Sequence, residues 1–562
     1  MLMRALYVGL SAMWLAGGLA AAEDYAVEVT DQDRARLEAV KTFADNVLEQ
    51  GRDRYGEAHT PLFVDGFNTE TMEPVRWEYD GNEWIISNQA NQQNLFRTLT
   101  GLTNLTGDER YKAEAKAAIR HMFEHQRSEC GLLYWGGHQF VELENNTNVG
   151  EFDADCHEFK WSLPYYELMW EVDPDATQEF LEALWNAHIL DWGRLDMNRH
   201  GSYGRAMGDL WDNEFDYPEP FFEGRALTFI NAGSDLIYAA LQLHALTGDE
   251  GPRLWGLRLA ELYVNARHPE TKLGVYQYSQ PERREEPPDD PRYTYSTYGD
   301  RAQRQFGPEF GDIALEGNFL RGDRGIYTRN ALLQLKLAEQ LGDAGEELLE
   351  WTREGMRAYA EHAYLPETNE VRPIWADGTD LTGFEIPRYG YFGPEGQVLS
   401  KQTASINFLY SYALGYRLTG DEALWEMARG VARGHGLGDL GERPGEGVDV
   451  NLDTNYSGPM ALFALVDLYR AVEHEDYLAL ARRVGDNILE QRYHDGWFLP
   501  SPDHLNARVD AIEPLALLAL DAVLRGAPEA VPQYNGGQGY IHGRFDGHGR
   551  TTDNSVIWNA RR

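Results

Sequence analysis

Two short stretches of the chain place histidine beside side chains that bind metals or move protons. "YWGGHQF" carries His138 after two glycines, which let a backbone come close to another group. "CHEFK" carries His157, Glu158 and Lys160. Imidazole and carboxylate are transition-metal ligands, and a desolvated lysine can act as a base. Both stretches therefore hold candidate metal ligands, and the second also holds a candidate base.

A third stretch, "NRHG", places Arg199 directly before His200. Two histidines and one carboxylate, with positions left for water or substrate, are a common transition-metal arrangement. For any one histidine a structural role is the alternative, and the three loops are too far apart to form a compact motif such as HExxH. The residues alone indicate a metal site with a basic side chain beside one ligand.

A fourth stretch, "YGDRAQRQFGPEFG", carries Arg301 and Arg304 three residues apart. On a helix these two side chains share one face. Arginine holds carboxylates through two parallel hydrogen bonds, so the pair suits an acidic ligand. The aromatic flanks favour a sugar-binding cleft, and a surface cluster of salt bridges is the alternative.

The charge of the chain limits which ligands it can attract. The formal net charge is -41 and the isoelectric point is near 4.7. Such a field argues against binding nucleic acid. An anionic ligand requires a local basic pocket that overcomes the overall repulsion.

The first residues, "MLMRALYVGLSAMWLAGGLAAAED", have the pattern of a secretory signal peptide. One positive charge precedes an apolar run, and small residues at Ala20 to Ala22 fit the cleavage rule. The run is short for a membrane span. We predict a signal peptide over 1–22 and a mature protein, 23–562, that is periplasmic or secreted and has no membrane partner.

Two cysteines, Cys130 and Cys156, flank the stretch that contains the first histidine. In an oxidising compartment they could form a disulfide that braces this stretch. Two free thiols are the alternative, and the sequence leaves both open.

A recurring pattern of helix, short Gly/Asp turn and helix organises the chain. Its copies begin near residues 97, 165, 238, 331, 408 and 463. Apolar residues recur at helical spacing on both sides of each turn, while the irregular spacing between copies excludes a strict solenoid. The pattern predicts a closed α/α toroid in one domain. Long loops with some short strands would lie around its cleft, and they span residues 128–160, 196–226, 274–325 and 364–404.

Six motifs follow one another along the chain: "EAHTPLFVDGFN", "ISNQANQQNLFRTLTGL", "YWGGHQF", "HEFK", "NRHG" and "DRAQRQFGPEFG". In this order they resemble polysaccharide lyase family 2, the pectate lyases with an (α/α)7 barrel. The similarity runs from about Val40 to about Gln491. The resemblance implies an enzyme that cleaves polygalacturonate by β-elimination with a divalent metal. Manganese is the expected ion, with calcium, nickel or cobalt as alternatives, and we expect a monomer.

The resemblance also implies roles for particular residues. His138, Glu158 and His200 match the metal ligands of the family, and Arg199 matches its catalytic base. An arginine base is demanding because guanidinium stays protonated in proteins, and like charge from a nearby cation would ease its deprotonation. Lys160 is the rival base, in which case Arg199 would bind substrate.

Substrate binding is the remaining role that the resemblance implies. A basic residue on the substrate carboxylate corresponds to Arg301 or Arg304, and Lys160 is a further candidate for substrate contact. His157 is the rival to Glu158 as a metal ligand. Another uronate polymer is the alternative substrate.

Two other classes of function stay open at the level of sequence. A glycoside hydrolase on a similar toroid would need two carboxylates as acid and base. Asp209, Asp212, Glu214 and Asp453 are available for that role, and ordinary solvated loop acids are the alternative. A periplasmic sugar-binding protein with a structural metal is the other class, although structural sites are usually closed by four protein ligands.

Overall fold

The structure is a computed structural model that describes residues 25–79, 81–150, 156–225, 227–282, 300–537, 541–545 and 551–562. The predicted signal peptide lies outside these residues. The helices are α1 (Asp31–Gln50), α2 (Gln93–Thr106), α3 (Glu109–His125), α4 (Tyr166–Val172), α5 (Pro174–His188), α6 (Ile230–Thr247), α7 (Glu250–Asn265), α8 (Arg301–Phe310), α9 (Ala331–Leu341), α10 (Glu346–His362), α11 (Asn407–Thr419), α12 (Glu422–Gly434), α13 (Pro459–Val472), α14 (Glu475–Arg492), α15 (Glu513–Leu524) and α16 (Ser555–Trp558).

The strands are short and lie mostly in the loops between helices. They are β1 (Gly66–Asn68), β2 (Arg76–Tyr79), β3 (Asn82–Ser87), β4 (Gln139–Glu142), β5 (Thr147–Gly150), β6 (Cys156–His157), β7 (Ile189–Asp191), β8 (Asp196–Met197), β9 (Gly201–Ser202), β10 (Glu223–Gly224), β11 (Gln280–Pro281), β12 (Phe319–Leu320), β13 (Tyr364–Leu365), β14 (Glu370–Val371), β15 (Ile374–Trp375), β16 (Gln402–Thr403), β17 (Gly438–Asp439), β18 (Asp449–Val450), β19 (Tyr493–His494), β20 (Trp497–Phe498), β21 (Asn506–Arg508), β22 (His542–Phe545) and β23 (Thr551–Asp553). A four-stranded antiparallel sheet, β2-β3-β4-β5, leads into the candidate site.

In the described part of the chain, seven helices form an inner ring and seven pack outside it. The inner helices are α2, α4, α6, α9, α11, α13 and α15, and their partners are α3, α5, α7, α10, α12, α14 and α1. α15 packs against both α1 and α2, which closes the ring between the two ends of the chain. Between α2 and α4, the Gln93 side chain accepts the Tyr165 N–H at 2.7 Å. Several inner helices, such as α6 and α15, are buried along nearly their whole length, as expected for helices enclosed by other helices.

The predicted Gly/Asp turn is present in three hairpins. In each, a left-handed glycine ends the inner helix and the next aspartate accepts an N–H of the outer helix. These pairs are Gly107-Asp108, Gly248-Asp249 and Gly420-Asp421. In the α13–α14 hairpin, Glu473 takes the left-handed position at φ 51°. In the α9–α10 hairpin, a 3-10 turn over Gly342–Gly345 lies between the helices.

The predicted toroid of helical hairpins, with long loops and short strands, is confirmed. Inner helices alternate with antiparallel outer partners, so the inner helices run in one direction and the loops that enter them gather at one end. None of the described helices is long and apolar enough to span a membrane. The single-domain assignment of 23–562 stays a prediction.

Candidate active site

The short strand β6 decides which way each residue of "CHEFK" faces. β6 pairs with β9, with Cys156 opposite Ser202 and His157 opposite Gly201. Successive side chains of a strand point to opposite sides, so Cys156 and His157 face opposite ways. Cys156 and Glu158 both lie near His138 and His200. His157 lies on the other side and is fully buried, with its Nδ1 2.9 Å from His188 Nε2. The structure therefore places His157 in the core, away from the other candidate ligands.

Glu158 is the centre of a cluster that contains five of the predicted site residues. Its side chain has no exposed surface. Oε2 lies 3.0 Å from His138 Nε2 and 2.8 Å from Lys160 Nζ. Oε1 lies 3.2 Å from Arg199 Nε and 3.4 Å from His200 Nε2. The three loops that carry histidine in the sequence thus meet at one buried carboxylate.

The two glycines of "YWGGHQF" allow this meeting. The Gly137 N–H donates to the Glu158 carbonyl at 2.8 Å. A Cβ on Gly136, which has a φ of 109°, would lie 2.5 Å from that same carbonyl oxygen. A Cβ on Gly137 would lie 3.0 Å from Glu158 Oε2. The expectation that these glycines permit a close approach is confirmed, and the group they approach is Glu158.

Two asparagines from the other motifs hold the loops in place. The Asn88 side chain donates to the Gly136 carbonyl at 2.7 Å and accepts the Gly136 N–H at 3.1 Å. The Asn198 side chain accepts the His200 N–H at 3.0 Å, and the Asn198 carbonyl lies 2.8 Å from His188 Nδ1. The asparagines of "ISNQANQQN" and "NRHG" therefore fix the loops of His138 and His200 through hydrogen bonds to backbone groups.

The charges around Glu158 shift the titration of the whole cluster. Burial raises the pKa of the Glu158 carboxyl, but Lys160 and Arg199 outweigh burial and hold that pKa well below its usual range. Burial lowers the pKa of the Lys160 ammonium to about 8, although Glu158 opposes this shift. Burial also lowers the pKa of His200. Glu158 is therefore ionised and His200 is neutral near neutral pH, as metal ligands must be.

His542 completes the cluster and was missed by sequence reasoning. Its ring stacks on His138 with centroids 5.3 Å apart and also contacts Lys160 Nζ. Burial, together with Lys160, lowers the pKa of His542 to about 2. From the sequence alone, the stretch "GGQGYIHGRFDGHGR" predicts only a loosely ordered or loop-packed tail. Its one available signal was a histidine followed by a possible strand, and nothing in the sequence links that histidine to a loop 382 residues away.

A second buried glutamate holds one of the two predicted arginines. Arg301 donates to both oxygens of Glu316, with an Nε–Oε2 distance of 2.7 Å. Its guanidinium lies 3.7 Å from the ring centre of Tyr391. Arg301 and Arg199 lie 5.4 and 5.2 Å from the ring centre of Phe229. The Phe229 ring therefore lies close to both Arg301, which binds Glu316, and Arg199, which lies beside Glu158.

The start of α8 and the segment of Glu316 are tied together by Asp300. Its carboxylate accepts the Gln303 N–H at 2.7 Å and the Glu316 N–H at 3.0 Å. Arg304 lies one helical turn beyond Arg301 and is half-buried. The structure therefore brings Arg301 beside Arg199, while Arg304 lies further along α8.

The two cysteines are free thiols in the structure. Cys130 is buried, with its Sγ 3.2 Å from Ser128 Oγ. Cys156 is half-buried, and its Sγ belongs to a group of possible metal ligands with His138 and His200, whose ligand atoms all lie within 4.8 Å of one another.

The acids proposed for a hydrolase do not form a site. Asp209, Asp212, Glu214 and Asp453 are all exposed on loops. They therefore fit the alternative of ordinary solvated acids.

A cavity of about 770 Å³ lies between the inner helices. Arg97, Lys336, Tyr410 and Asp467 are among its lining residues. No predicted site residue lines it, so this cavity and the Glu158 cluster are separate places.

The environment of the Glu158 carboxylate indicates that the cluster can bind a divalent cation. Both carboxylate oxygens are buried and, among the described residues, neither accepts a hydrogen bond with proper angles. Buried carboxylates are ordinarily hydrogen-bonded or bound to metal. A carboxylate flanked by two imidazoles is also a donor set that transition metals use. His138, Glu158 and His200 can therefore hold such an ion.

Comparison with known proteins assigns the chain to a family. The family model described as "Periplasmic pectate lyase" matches residues 60–544. A pectate disaccharide-lyase of Dickeya dadantii (strain 3937) is 35% identical over 529 residues, which cover 92% of this chain and 94% of that protein. The chain belongs to the periplasmic pectate lyase family. The resemblance to polysaccharide lyase family 2 is thus confirmed, and this member of the periplasmic pectate lyases is a polysaccharide lyase.

Solved structures are more distant from this pectate lyase. A D-mannose isomerase is 14% identical with a TM-score of 0.41, covering 73% of this chain and 89% of that one. The GH76A alpha-1,6-mannanase from Salegentibacter sp. HEL1_6 is 12% identical with a TM-score of 0.37, covering 87% of this chain and 99% of that one.

Proposed function

We propose that the protein is a metal-dependent lyase that cleaves polygalacturonate by β-elimination and releases 4,5-unsaturated oligogalacturonides. Manganese is the proposed ion, with calcium, nickel or cobalt as alternatives, and the enzyme acts in the periplasm or outside the cell. The main observation that supports this proposal is the buried Glu158 carboxylate, which faces two histidines and two basic side chains. Another uronate polymer is the alternative substrate.

Elimination removes the proton on C5 of a uronate and expels the glycosidic oxygen on C4. The C5 proton is weakly acidic while the neighbouring carboxylate is ionised. A divalent ion held by His138, Glu158 and His200 would neutralise that carboxylate and stabilise the charge that develops on it.

Arg199 is the proposed acceptor of the C5 proton. It can accept that proton only after its guanidinium has lost one to solvent, and like charge from the bound ion would ease this loss. Its Nε lies 3.2 Å from Glu158, next to the place where the substrate carboxylate would lie. Its side chain is 22% exposed, against 8% for Lys160. Arg199 is thus the more accessible of the two candidate bases, which favours it over Lys160.

Lys160 has a different proposed role. Its Nζ contacts both Glu158 Oε2 and the His542 ring. A cation enclosed in this way orients the Glu158 carboxylate and adds positive charge beside a polyanionic substrate. Lys160, together with the bound ion, would therefore supply the local positive charge that a chain of net charge -41 requires.

Arg301 is the proposed contact for a second uronate carboxylate. Glu316 and Tyr391 fix its guanidinium, and Phe229 lies between it and Arg199. A planar guanidinium held in this way suits two-point binding of a carboxylate. Tyr391, which is 41% exposed, offers an aromatic face for a sugar ring.

The test is the ultraviolet absorbance of the unsaturated uronate product on polygalacturonate. The rise should appear with manganese and be abolished by a chelator. A chelator-resistant rise would contradict the metal requirement. Release of reducing ends without a rise in absorbance would indicate hydrolysis. A rise in absorbance on another uronate polymer, and not on polygalacturonate, would identify that polymer as the substrate.

A further inference from the structure

Cys156 is a side chain of the cluster that the proposed reaction does not use. It lies two residues before Glu158, and both side chains lie near His138 and His200. Its Sγ and one ring nitrogen each of His138 and His200 lie within 4.8 Å of one another. Three atoms no further apart than this all lie within 4.8/√3, or about 2.8 Å, of one common point. Zinc–sulfur and zinc–nitrogen bonds of about 2.3 and 2.0 Å are reached from such a point by small side-chain movements.

We propose that Cys156 is a fourth protein ligand of this site and joins His138, Glu158 and His200 in binding thiophilic divalent ions such as zinc and cobalt. The three mutually close atoms belong to Cys156 and the two histidines. Glu158 adjoins them through oxygens 3.0 and 3.4 Å from the imidazole nitrogens of His138 and His200. The proposal rests on the metal site of the proposed function. A second observation points to the same ion, because the fully buried Glu158 carboxylate faces the ring nitrogens of both histidines, a donor set that transition metals use.

The binding step is balanced by one proton. The sulfur–metal bond forms as the thiol S–H bond breaks, and the proton leaves to solvent. The thiolate and the Glu158 carboxylate then supply two negative charges to a doubly charged cation. The ion and its two anionic ligands are together neutral, and Lys160 and Arg199 remain beside them as basic groups.

A fourth protein ligand would also make the effect of a bound ion depend on its preferred coordination number. An ion that takes four ligands would have all of its positions filled by protein, as in structural zinc sites. An ion that prefers six ligands, such as manganese, would keep positions for the substrate. Zinc is therefore expected to bind tightly and to inhibit, and Cys156 is the residue responsible for that inhibition.

The first test is optical and uses no substrate. We expect metal-free mature protein titrated with Co²⁺ to develop a thiolate-to-cobalt charge-transfer band in the near ultraviolet. Cys156→Ser should lose this band and bind zinc at least about tenfold more weakly, since losing even a hydrogen-bond partner of a ligand costs that much. Cys130→Ser is the matched control and should keep both the band and the affinity, because Cys130 contacts Ser128 outside the cluster.

The second test uses wild-type protein and so does not depend on the folding of a variant. Zinc should slow alkylation of Cys156 by iodoacetamide at least about tenfold, as a metal-bound thiolate is withheld from the reagent. Peptide mass spectrometry would follow the modification. An unchanged alkylation rate, or a cobalt spectrum without a thiolate band, would overturn the proposal.

The two proposals can fail separately. Lyase activity with manganese but no thiolate band would remove Cys156 from the site and keep the proposed function. A thiolate band without product absorbance on any uronate polymer would keep the Cys156 ligand and remove the proposed function.

Discussion

Glu158 and Glu316 are both buried glutamates beside arginine, yet their surroundings differ in kind. Arg301 donates to both oxygens of Glu316, and the Glu316 N–H is bound by Asp300. Glu158 has more nitrogen atoms close to it, but its oxygens accept no hydrogen bond with proper angles among the described residues. Glu316 is held through two bonds from one arginine, whereas Glu158 faces four nitrogen atoms from four different side chains.

We propose that this difference distinguishes Glu316, which positions Arg301, from Glu158, which binds a metal ion. A satisfied carboxylate fixes its arginine, so Glu316 presents Arg301 in one orientation toward the cleft. Glu158 instead faces two imidazoles, which together with a carboxylate form a donor set for a transition metal. We therefore propose the cluster around Glu158 as the cation site and assign the cluster around Glu316 to the orientation of Arg301.

The largest expected effect is that of Glu158→Gln. This change should abolish manganese binding and lower kcat/KM by roughly 1,000-fold or more, because metal stabilisation of a transition state amounts to several kcal/mol. Metal content and product absorbance would measure it. Glu316→Gln is the matched control and should retain the metal. Equal metal content in the two variants would remove the distinction between the two glutamates.

The next effect concerns the base. Arg199→Ala should lower kcat by about 100- to 10,000-fold, the range for loss of a general base, while the protein still binds manganese. Lys160→Gln should lower kcat less, because Lys160 only orients Glu158. A larger loss in Lys160→Gln than in Arg199→Ala would exchange the two roles.

A smaller effect is expected at the Glu316 cluster. Arg301→Lys should raise KM about tenfold with little change in kcat, because a lysine cannot bind a carboxylate through two parallel bonds. Steady-state kinetics on polygalacturonate would separate the two constants. Arg304→Lys should give a smaller rise in KM, and the reverse order would assign the substrate contact to Arg304.

The structural features that could be predicted from the sequence are those formed by residues close together in the chain. Glycine followed by aspartate between apolar helices specifies a hairpin, so Gly107 and Gly248 could be interpreted without a structure. The seventh helix pair, α15 with α1, could not be recognised in this way because no turn joins two helices at opposite ends of the chain. His542 escaped notice for the same reason.

The candidate ligands were predictable as residue types but not as partners. Choosing between His157 and Glu158 requires knowing that β6 is a strand, since its alternation turns His157 away from the side of Cys156. Glu316 had no signal at all, because an acid in an acidic chain is unremarkable until Arg301 is seen to bind it.

The smallest effect is the acid sensitivity of the metal-free protein. Burial raises the pKa of both carboxyls, but Lys160 and Arg199 near Glu158, and Arg301 near Glu316, hold both pKa values below 4.5, the value of an ordinary glutamate. A depressed carboxyl pKa contributes stability that is complete above the unfolded pKa and is lost as the pH falls through the folded one. The free energy of unfolding should therefore decline below about pH 4.5, since the unfolded chain binds protons first.

Replacing either glutamate should flatten that decline. The pKa of each carboxyl is lowered in the folded protein, so Glu158→Gln and Glu316→Gln should each flatten the decline. Denaturant unfolding across this pH range would measure the slopes, with Glu395→Gln as an exposed control that leaves them unchanged. Equal slopes in Glu158→Gln and Glu316→Gln would mean that the two carboxylates are stabilised alike without metal. The contrast between the two clusters would then lie in hydrogen-bond geometry and not in charge.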